Sequence, residues 1–329
     1  MGAYYNAAGM LLSVVIPVLN EERNVPELHR RIALVLENQA VDFEIVFVDD
    51  GSTDLTADIL QNLHDRDPRI KSVRLARNFG HQAAISAGLR AASGDAVVVM
   101  DGDLQDSPEM LPTFIARWRE GYEVIYAVRE RRSASWLKRL GYTVFYRLLQ
   151  QISHIAVPLD SGDFSMIDRR VVDVINAMPE RTRFVRGMRS WVGFRQTGVT
   201  QVREERFAGE PKYTYWKLVR LALDGFIGFS YRPLQMASLF GAAVSVVALL
   251  LAILLVVLKV VHGIPLVGWT SLIVAVLFLG GVQLICVGIL GEYVGRIYDE
   301  VRQRPPYVVA NVLGKTRLDA PPTREAERP

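Results

Sequence analysis

The sequence predicts an α/β domain, a mostly parallel sheet with helices on both faces, followed by amphipathic segments and a two-helix transmembrane hairpin. Three observations carry that expectation. Short apolar runs alternate with amphipathic stretches over residues 1–230, the pattern of strand–helix–strand units. Polar, turn-forming loops follow the first four runs. Finally, Pro233–Leu258 and Gly263–Gly291 contain no charged residue, and each exceeds the roughly 20 apolar residues that cross a bilayer.

Composition narrows the class. The 329 residues carry 38 Lys and Arg against 35 Asp and Glu, a net charge of +3, so no nucleic-acid partner is expected. The single cysteine, Cys286, lies in an apolar run, which excludes a disulfide framework and a cysteine-based metal site. Met1–Leu12 lacks the basic start and apolar core of a secretory signal. Asn6 stands where a myristoylation motif needs Ser or Thr.

The elements follow in order. Leu11–Pro17 reads as a buried strand ended by its proline, with an amphipathic helix to about Glu37. Phe43–Val48 is the second strand, and its turn, Asp49-Asp50-Gly51-Ser52-Thr53-Asp54, opens a helix over Thr56–His64. Ile70–Leu75 is the third strand, Arg77–Gln82 a loop, and Ala83–Ala92 a small-residue helix. Residues 96–100 form a fourth, wholly apolar strand that delivers Asp101-Gly102-Asp103. A helix runs from Pro108 to about Gly121, and strand Glu123–Val128 ends at Arg129. Ser133–Ser153 and Tyr215–Tyr231 are basic and amphipathic, suited to a core or to a membrane interface, and the downstream spans favour interface helices.

These readings divide the chain into a cytosolic domain (1–210), a juxtamembrane segment (211–232), two spans (about 234–258 and 266–291, within 233–298) and a C-terminal tail (299–329). Arg220 and Arg232 precede the first span, and Arg296, Arg302 and Arg304 follow the second, whereas the connecting loop holds only Lys259 and His262. By the positive-inside tendency the domain and both termini face the cytoplasm of an inner or plasma membrane.

In such a sheet, loops after parallel strands share one edge. That gathers Asn20, Glu21, Asp49, Asp50, Gly80, Gln82, Asp101 and Asp103 into one crevice. Asp101 and Asp103, separated only by Gly102, can reach one hard divalent cation, and such a cation completes its shell with substrate phosphates. The expected substrate is therefore linked to a nucleoside diphosphate. An Asp-Gly-Asp turn alone is common; the neighbouring motifs give it weight.

The order Val14-Val-Ile-Pro-Val-Leu-Asn-Glu-Glu22, Val48-Asp-Asp-Gly-Ser-Thr-Asp54 and Asp101-Gly-Asp-Leu-Gln-Asp-Ser-Pro-Glu109 resembles family 2 glycosyltransferases of the GT-A, Rossmann-like fold. Gly209-Glu-Pro-Lys-Tyr213, Leu290-Gly-Glu-Tyr-Val-Gly-Arg-Ile-Tyr298 and the two spans narrow the resemblance to polyprenyl-phosphate glycosyltransferases: bactoprenol glucosyltransferases, undecaprenyl-phosphate aminoarabinose transferases and dolichol-phosphate mannose synthases. It covers about residues 11–310. It implies that Pro17, Leu19, Glu21 and Asp50 line the nucleotide site, with Asp49 beside them and Gly80, Gln82, Asp101 and Gly102 completing it. It implies that Asp101, Asp103 and Gln105 hold Mg²⁺ or Mn²⁺ with the donor diphosphate, and that Arg129, Arg206 and Lys212 receive the acceptor's phosphate. Asp103, Arg129 and Asp163 are the expected catalytic set, Asp163 orienting acceptor or sugar. The implied reaction is inverting transfer of one hexose, UDP-glucose being the first choice of donor, to undecaprenyl phosphate.

Mannose synthases of this group often have Asp-Ala-Asp with two following prolines, where this chain has Asp-Gly-Asp and one, Pro108. That speaks against assigning GDP-mannose; mannosyl and aminoarabinose transfer stand as alternatives. A processive polysaccharide synthase would carry Gln-x-x-Arg-Trp, but Phe114 occupies the Gln position before Arg117-Trp118. A non-enzymatic membrane subunit is the alternative of another class, and the retained Asp101 and Asp103 oppose it. His81 reads as a hydrogen-bonded loop histidine, Trp191 and Phe194 as packing residues, and Glu292–Arg296 as a helix-end ion pair. Gly280, Gly281, Gly288, Gly291 and Gly295 permit close helix packing. They favour a homo-oligomer, and the resembled group includes tetramers.

Overall fold

The computed structural model describes residues 9–39, 41–129, 161–181, 183–201, 232–262 and 268–319. Alternating burial sets the first strand. β1 (Leu11–Val18) turns Leu12, Val14, Ile16 and Val18 into one apolar layer and Val15 into another, as the period of two along a strand requires. β2 (Asp42–Asp49) does the same with Phe43, Ile45 and Phe47 on one face and Val46 and Val48 on the other. α1 (Val25–Glu37) begins at a proline and buries Val25, Leu28, Ile32 and Leu36, one stripe at helical spacing. α2 (Thr56–Arg66) and α4 (Leu111–Arg119) cover the same face. The other face is covered by α3 (His81–Ala91), α5 (Arg169–Ala177) and α6 (Val185–Trp191).

The remaining strands are β3 (Ile70–Leu75), β4 (Ala96–Val99), β5 (Val124–Arg129), β6 (Ser161–Asp168), β7 (Gln196–Gln201) and β8 (Val309–Leu313). They form one eight-stranded sheet in the order β7-β5-β6-β4-β1-β2-β3-β8. β3, β2, β1 and β4 are mutually parallel. β6 runs antiparallel to both β4 and β5, β7 is parallel to β5, and β8 is antiparallel to β3. The expected mostly parallel sheet is thus a mixed one, its four parallel strands extended on both sides by antiparallel pairing.

Two details depart from the sequence reading. Pro17 lies inside β1 rather than ending it. The Val15 carbonyl faces β4, where it accepts from the Met100 amide. Pro17, two residues on, faces the same way past the last β1–β4 pair, Val15–Val99, so no ladder bond needs its missing N–H. Residues 309–313, within the segment read as a tail, form β8 and cover the edge of β3. Tyr307, Val309 and Leu318 pack against the second apolar layer, and Arg317 reaches Asp173 at 2.9 Å.

Two long helices form a separate unit, α7 (Arg232–His262) and α8 (Trp269–Val301), which contact each other. Ser271–Val301 is long and apolar enough to cross a membrane; in α7 the apolar stretch is shorter, Ala237–Leu251. Among the described residues one full-length span is therefore found; several α7 side chains beyond Leu251 lie outside them, so the second expected span is not tested in full. Glu292 and Arg296 pair at 3.3 Å, as expected. The stretches Ser133–Ser153, Gly209–Tyr213 and Tyr215–Tyr231, with Arg206 and Lys212, also lie outside the described residues.

Ending the chain after Pro306 should lower the thermal midpoint of the detergent-solubilised protein by more than about 5 °C, since uncovering β3 and losing the Tyr307–Leu318 packing removes over 2 kcal/mol. A midpoint within a degree of the full chain would mean that β8 does not hold the sheet edge.

Candidate active site

β4 pairs with β1, not with β3, so the order of the parallel strands reverses between β1 and β4. The loops after these two strands flank that reversal, which is where open α/β sheets bind ligands. Both loops contain non-glycine residues at positive φ, Asn20 (57°) and Leu104 (60°). Such backbone persists only where its surroundings hold it.

The loop after β1 is fixed by the loop after β2. The Asn20 amide donates to Ser52 Oγ at 2.9 Å and the Thr53 amide donates back to Asn20 Oδ1 at 2.9 Å. The Glu21 amide donates to Thr56 Oγ1 at 3.0 Å, and the Glu21 carboxylate accepts from Asn24 at 2.6 Å. Asp49 accepts from the Ser52 amide at 2.8 Å and faces Arg74 at 3.3 Å. Asp50 accepts from the Phe79 and Gly80 amides at 2.7 and 2.9 Å, which ties the β2 loop to the β3 loop. Burial pushes the Asp50 carboxyl up, more than these two hydrogen bonds pull it down. Gly51 lies under that tie: at φ +77° its Cβ would fall 2.6 Å from the Arg77 carbonyl carbon. Of the predicted nucleotide residues, Pro17 is buried and Leu19 is 39% exposed at the crevice.

The loop after β4 lies tight against β1. A Cβ on Gly102 would meet the Pro17 carbonyl oxygen at 2.9 Å and Val18 Cγ1 at 3.0 Å, so the Asp-x-Asp spacer is held to glycine by contact. The Asp101 amide donates to buried Asp106 at 3.2 Å, and Asp103 Oδ1 accepts from the Gln105 amide at 3.1 Å. Arg129 ends β5 directly beside Gln201, the last residue of β7. The Gln201 amide group in turn reaches the Gln105 carbonyl at 3.5 Å.

Asp163, at the start of β6, is the electrostatic centre. Its Oδ2 lies 3.3 Å from His81 Nε2 and accepts from Gln82 Nε2 at 3.4 Å; its Oδ1 accepts from Arg186 at 3.3 Å. Arg189 lies beneath, 1% exposed, donating to the Gly162 carbonyl at 3.4 Å and stacked 5.3 Å over Tyr126. Burial pushes Asp163 up, but the His81 hydrogen bond and the Arg186, His81 and Arg189 charges bring it down to about 2. Burial alone would lower His81; Asp163 and Asp101 together raise it. Burial pushes Arg189 down to about 10, against the pull of Asp163.

Residues 13–175 match the family described as glycosyl transferase family 2. An uncharacterized glycosyltransferase of Synechocystis is 44% identical over 304 residues, 92% of this chain and 96% of that protein. The glycosyltransferase YkcC of Bacillus subtilis, also uncharacterized, is 44% identical over 92% of this chain and 94% of its own length. The bactoprenol glucosyl transferase of Shigella phage SfII is 42% identical over 91% of this chain and 97% of its own. The chain belongs to glycosyl transferase family 2.

In this glycosyltransferase the predicted residues fall in three groups. Leu19, Glu21, Asp50 and Gly80 lie on the interlocked loops after β1, β2 and β3, with Pro17 near the end of β1 and Asp49 at the end of β2. Asp101, Gly102, Asp103 and Gln105 follow β4, and Gln82 and Asp163 meet next to them. Arg129 is placed by its backbone at the β5 end. The sequence reading missed Arg186, Arg189 and Gln201. Their only signal was the Arg186/Arg189 pair in Val185-Arg-Gly-Met-Arg189, and nothing in it marks one arginine as buried. Phe194 packs against the second apolar layer as expected, whereas Trp191 is 65% exposed.

Among the described residues, no group of three or more His, Cys, Asp or Glu side chains could hold a metal ion. Two carboxylates and one amide, Asp101, Asp103 and Gln105, fit a hard cation that takes its remaining ligands from substrate oxygens and water. They do not fit a cage built wholly of protein.

Asp163→Asn should destabilise the fold by at least about 2 kcal/mol at pH 7, because lowering this carboxyl from 3.8 to about 2 stabilises the folded state by that order. The contribution is complete above the ordinary carboxyl pKa and is lost as pH falls from about 4 towards 2. Thermal melts of both proteins from pH 7 to pH 2 should therefore converge at the acid end. A constant difference across that range would show that Asp163 is not the paired anion.

Proposed function

We propose that the protein transfers a single hexose from a nucleotide sugar, UDP-glucose as first choice, to a polyprenyl phosphate, undecaprenyl phosphate, at the cytoplasmic face of the membrane. The order of groups along one sheet edge carries this reading. β6 is antiparallel to β4 and β5, so its first residues share an edge with the last residues of β1–β5 and β7. Along that edge lie the β3 and β2 loops, Leu19–Glu21, then Asp101–Asp103, then Asp163, then Arg129 beside Gln201. That is the sequence an in-line displacement needs: nucleotide, diphosphate, sugar, incoming phosphate. β4 and β5 are separated by one strand, roughly 10 Å in all, which is room for one hexose.

Asp101, Asp103 and Gln105 would hold Mg²⁺ or Mn²⁺, which when bound stabilises the charge growing on the leaving diphosphate. Asp163 is held ionised and oriented, suited to fixing sugar hydroxyls. Arg129, with Arg206 and Lys212 from the segment beyond β7, would receive the acceptor phosphate; arginine's planar fork matches phosphate oxygens. One displacement inverts the anomeric centre. The bactoprenol glucosyl transferase named among the relatives supports the polyprenyl acceptor and the glucosyl donor.

The chain path bears on how the protein would meet the membrane. α7 follows β7 and α8 leads into β8, and both strands belong to one sheet. A sheet cannot straddle a bilayer, so if α8 crosses, the chain must cross an even number of times. That supports a hairpin with both flanks cytoplasmic, in keeping with the arginine distribution.

With undecaprenyl phosphate and a panel of radiolabelled UDP- and GDP-sugars, one labelled lipid should form and should vanish with EDTA. Asp103→Asn should cut transfer by at least about 100-fold, the scale of losing a charge-stabilising group, with insertion intact. Full activity in that variant would remove the metal assignment. Arg206→Ala should raise KM for the lipid phosphate about tenfold or more, with the sugar nucleotide KM little changed. An equal rise in both would argue against an acceptor role.

A further inference from the structure

His81 stands between the two acidic groups of the crevice. It is the first residue of α3, and Gly80 at φ +99° sets the turn into the helix. Its Nε2 lies 3.4 Å from Asp101 Oδ1 and 3.3 Å from Asp163 Oδ2. One carboxylate belongs to the loop after β4, the other to β6. One edge of the imidazole thus meets acids on two elements, in a hydrogen bond to Asp163 and in polar contact with Asp101. Packing does not explain the residue, since its side chain is 45% exposed. Nor does Asp163 depend on it alone, because Gln82 and Arg186 also reach that carboxylate.

We propose that His81 is a positioning residue for the donor complex, a bridge that holds Asp101 ready for the cation and keeps Asp163 next to it. The inference rests on the metal-and-donor reading above. Two like charges drawn together repel, and the polar edge of an imidazole between them offsets that repulsion where the cation and sugar must meet. Side chains that touch ligating carboxylates set their orientation, and their loss commonly lowers metal affinity about 10- to 100-fold. Asp163 keeps Gln82 and Arg186 when His81 is removed, so the effect to be read is the one passed through the Asp101 contact to the metal.

The test uses the full chain in detergent and calorimetric binding of UDP across a Mn²⁺ titration, with no transfer required. His81→Ala should raise the Mn²⁺ concentration for half-maximal UDP binding about tenfold or more. His81→Gln, whose amide nitrogen reaches about as far as Nε2, should restore most of it. A wild-type Mn²⁺ requirement in His81→Ala, or an equal loss in His81→Gln, overturns the bridge. Should His81→Ala fail to fold, His81→Phe keeps the ring volume without the donor and is judged by the same two outcomes. Asp103→Asn runs alongside. If UDP binding is metal-independent in the wild type and in Asp103→Asn, the metal reading itself falls. If Asp103→Asn loses the Mn²⁺ response and His81→Ala keeps it, only the bridge falls.

Discussion

The crevice depends on where β4 pairs. Ala96–Met100 is apolar throughout and almost wholly buried, and it lies beside β1 rather than beyond β3. That choice reverses the strand order and sets the loop after β4 against the end of β1. The remaining geometry follows. The Asp101 turn must then run along the backbone of Pro17 and Val18, which no side chain at position 102 would permit. The β1 loop is secured from its other side by Ser52, Thr53 and Thr56. A strand placed differently would leave the same motifs in the chain with no crevice between them.

Charge is distributed along that edge in a way that anticipates a charged ligand. Asp163 is compensated within the chain, by His81, Gln82 and Arg186 with Arg189 below. At an effective dielectric constant near 20, an ion pair at 4 Å contributes about 4 kcal/mol, enough to keep this carboxylate ionised despite its burial. The acids of the β4 loop are arranged differently: Asp103 accepts from the Gln105 amide, and Asp101 lies 3.4 Å from His81. In the proposed reaction a cation arriving with the diphosphate completes their compensation, which couples donor binding to neutralisation of the turn.

Much of this was legible in sequence because it is local. Leu11–Val18, Phe43–Val48, Ile70–Leu75 and residues 96–99 are apolar runs bounded by turn residues, and period and polarity suffice to place them. β6 was not, since Ser161-Gly-Asp-Phe-Ser-Met-Ile-Asp168 mixes polar and apolar residues. Its buried Ser165 and Asp168 are satisfied through hydrogen bonds to the Asp163 carbonyl, to Trp118, and to the amide and guanidinium of Arg170. β8 was hidden by distance, as its partner β3 precedes it by more than 200 residues and no local pattern reports so distant a pairing. Arg189 was hidden by type. An arginine reads as surface unless its partners are known, and here they are the Gly162 carbonyl, the Tyr126 ring and the charge of Asp163.

The protonation states of the site bear on what can serve as acceptor. Transfer to a sugar hydroxyl requires a base to take its proton as the bond forms. Asp163 is ill-suited: its pKa lies at about 2, and its oxygens already accept from three side chains. His81 is held towards its protonated form by the same acids that orient it. Asp101 and Asp103 are committed, in the proposed reaction, to the cation. A phosphate monoester needs no such base, because with a second pKa of ~6 it reaches neutral pH largely ionised. The arrangement of acids and cations therefore favours an acceptor that brings its own negative oxygen, and the chemistry left to the chain is alignment and compensation of charge.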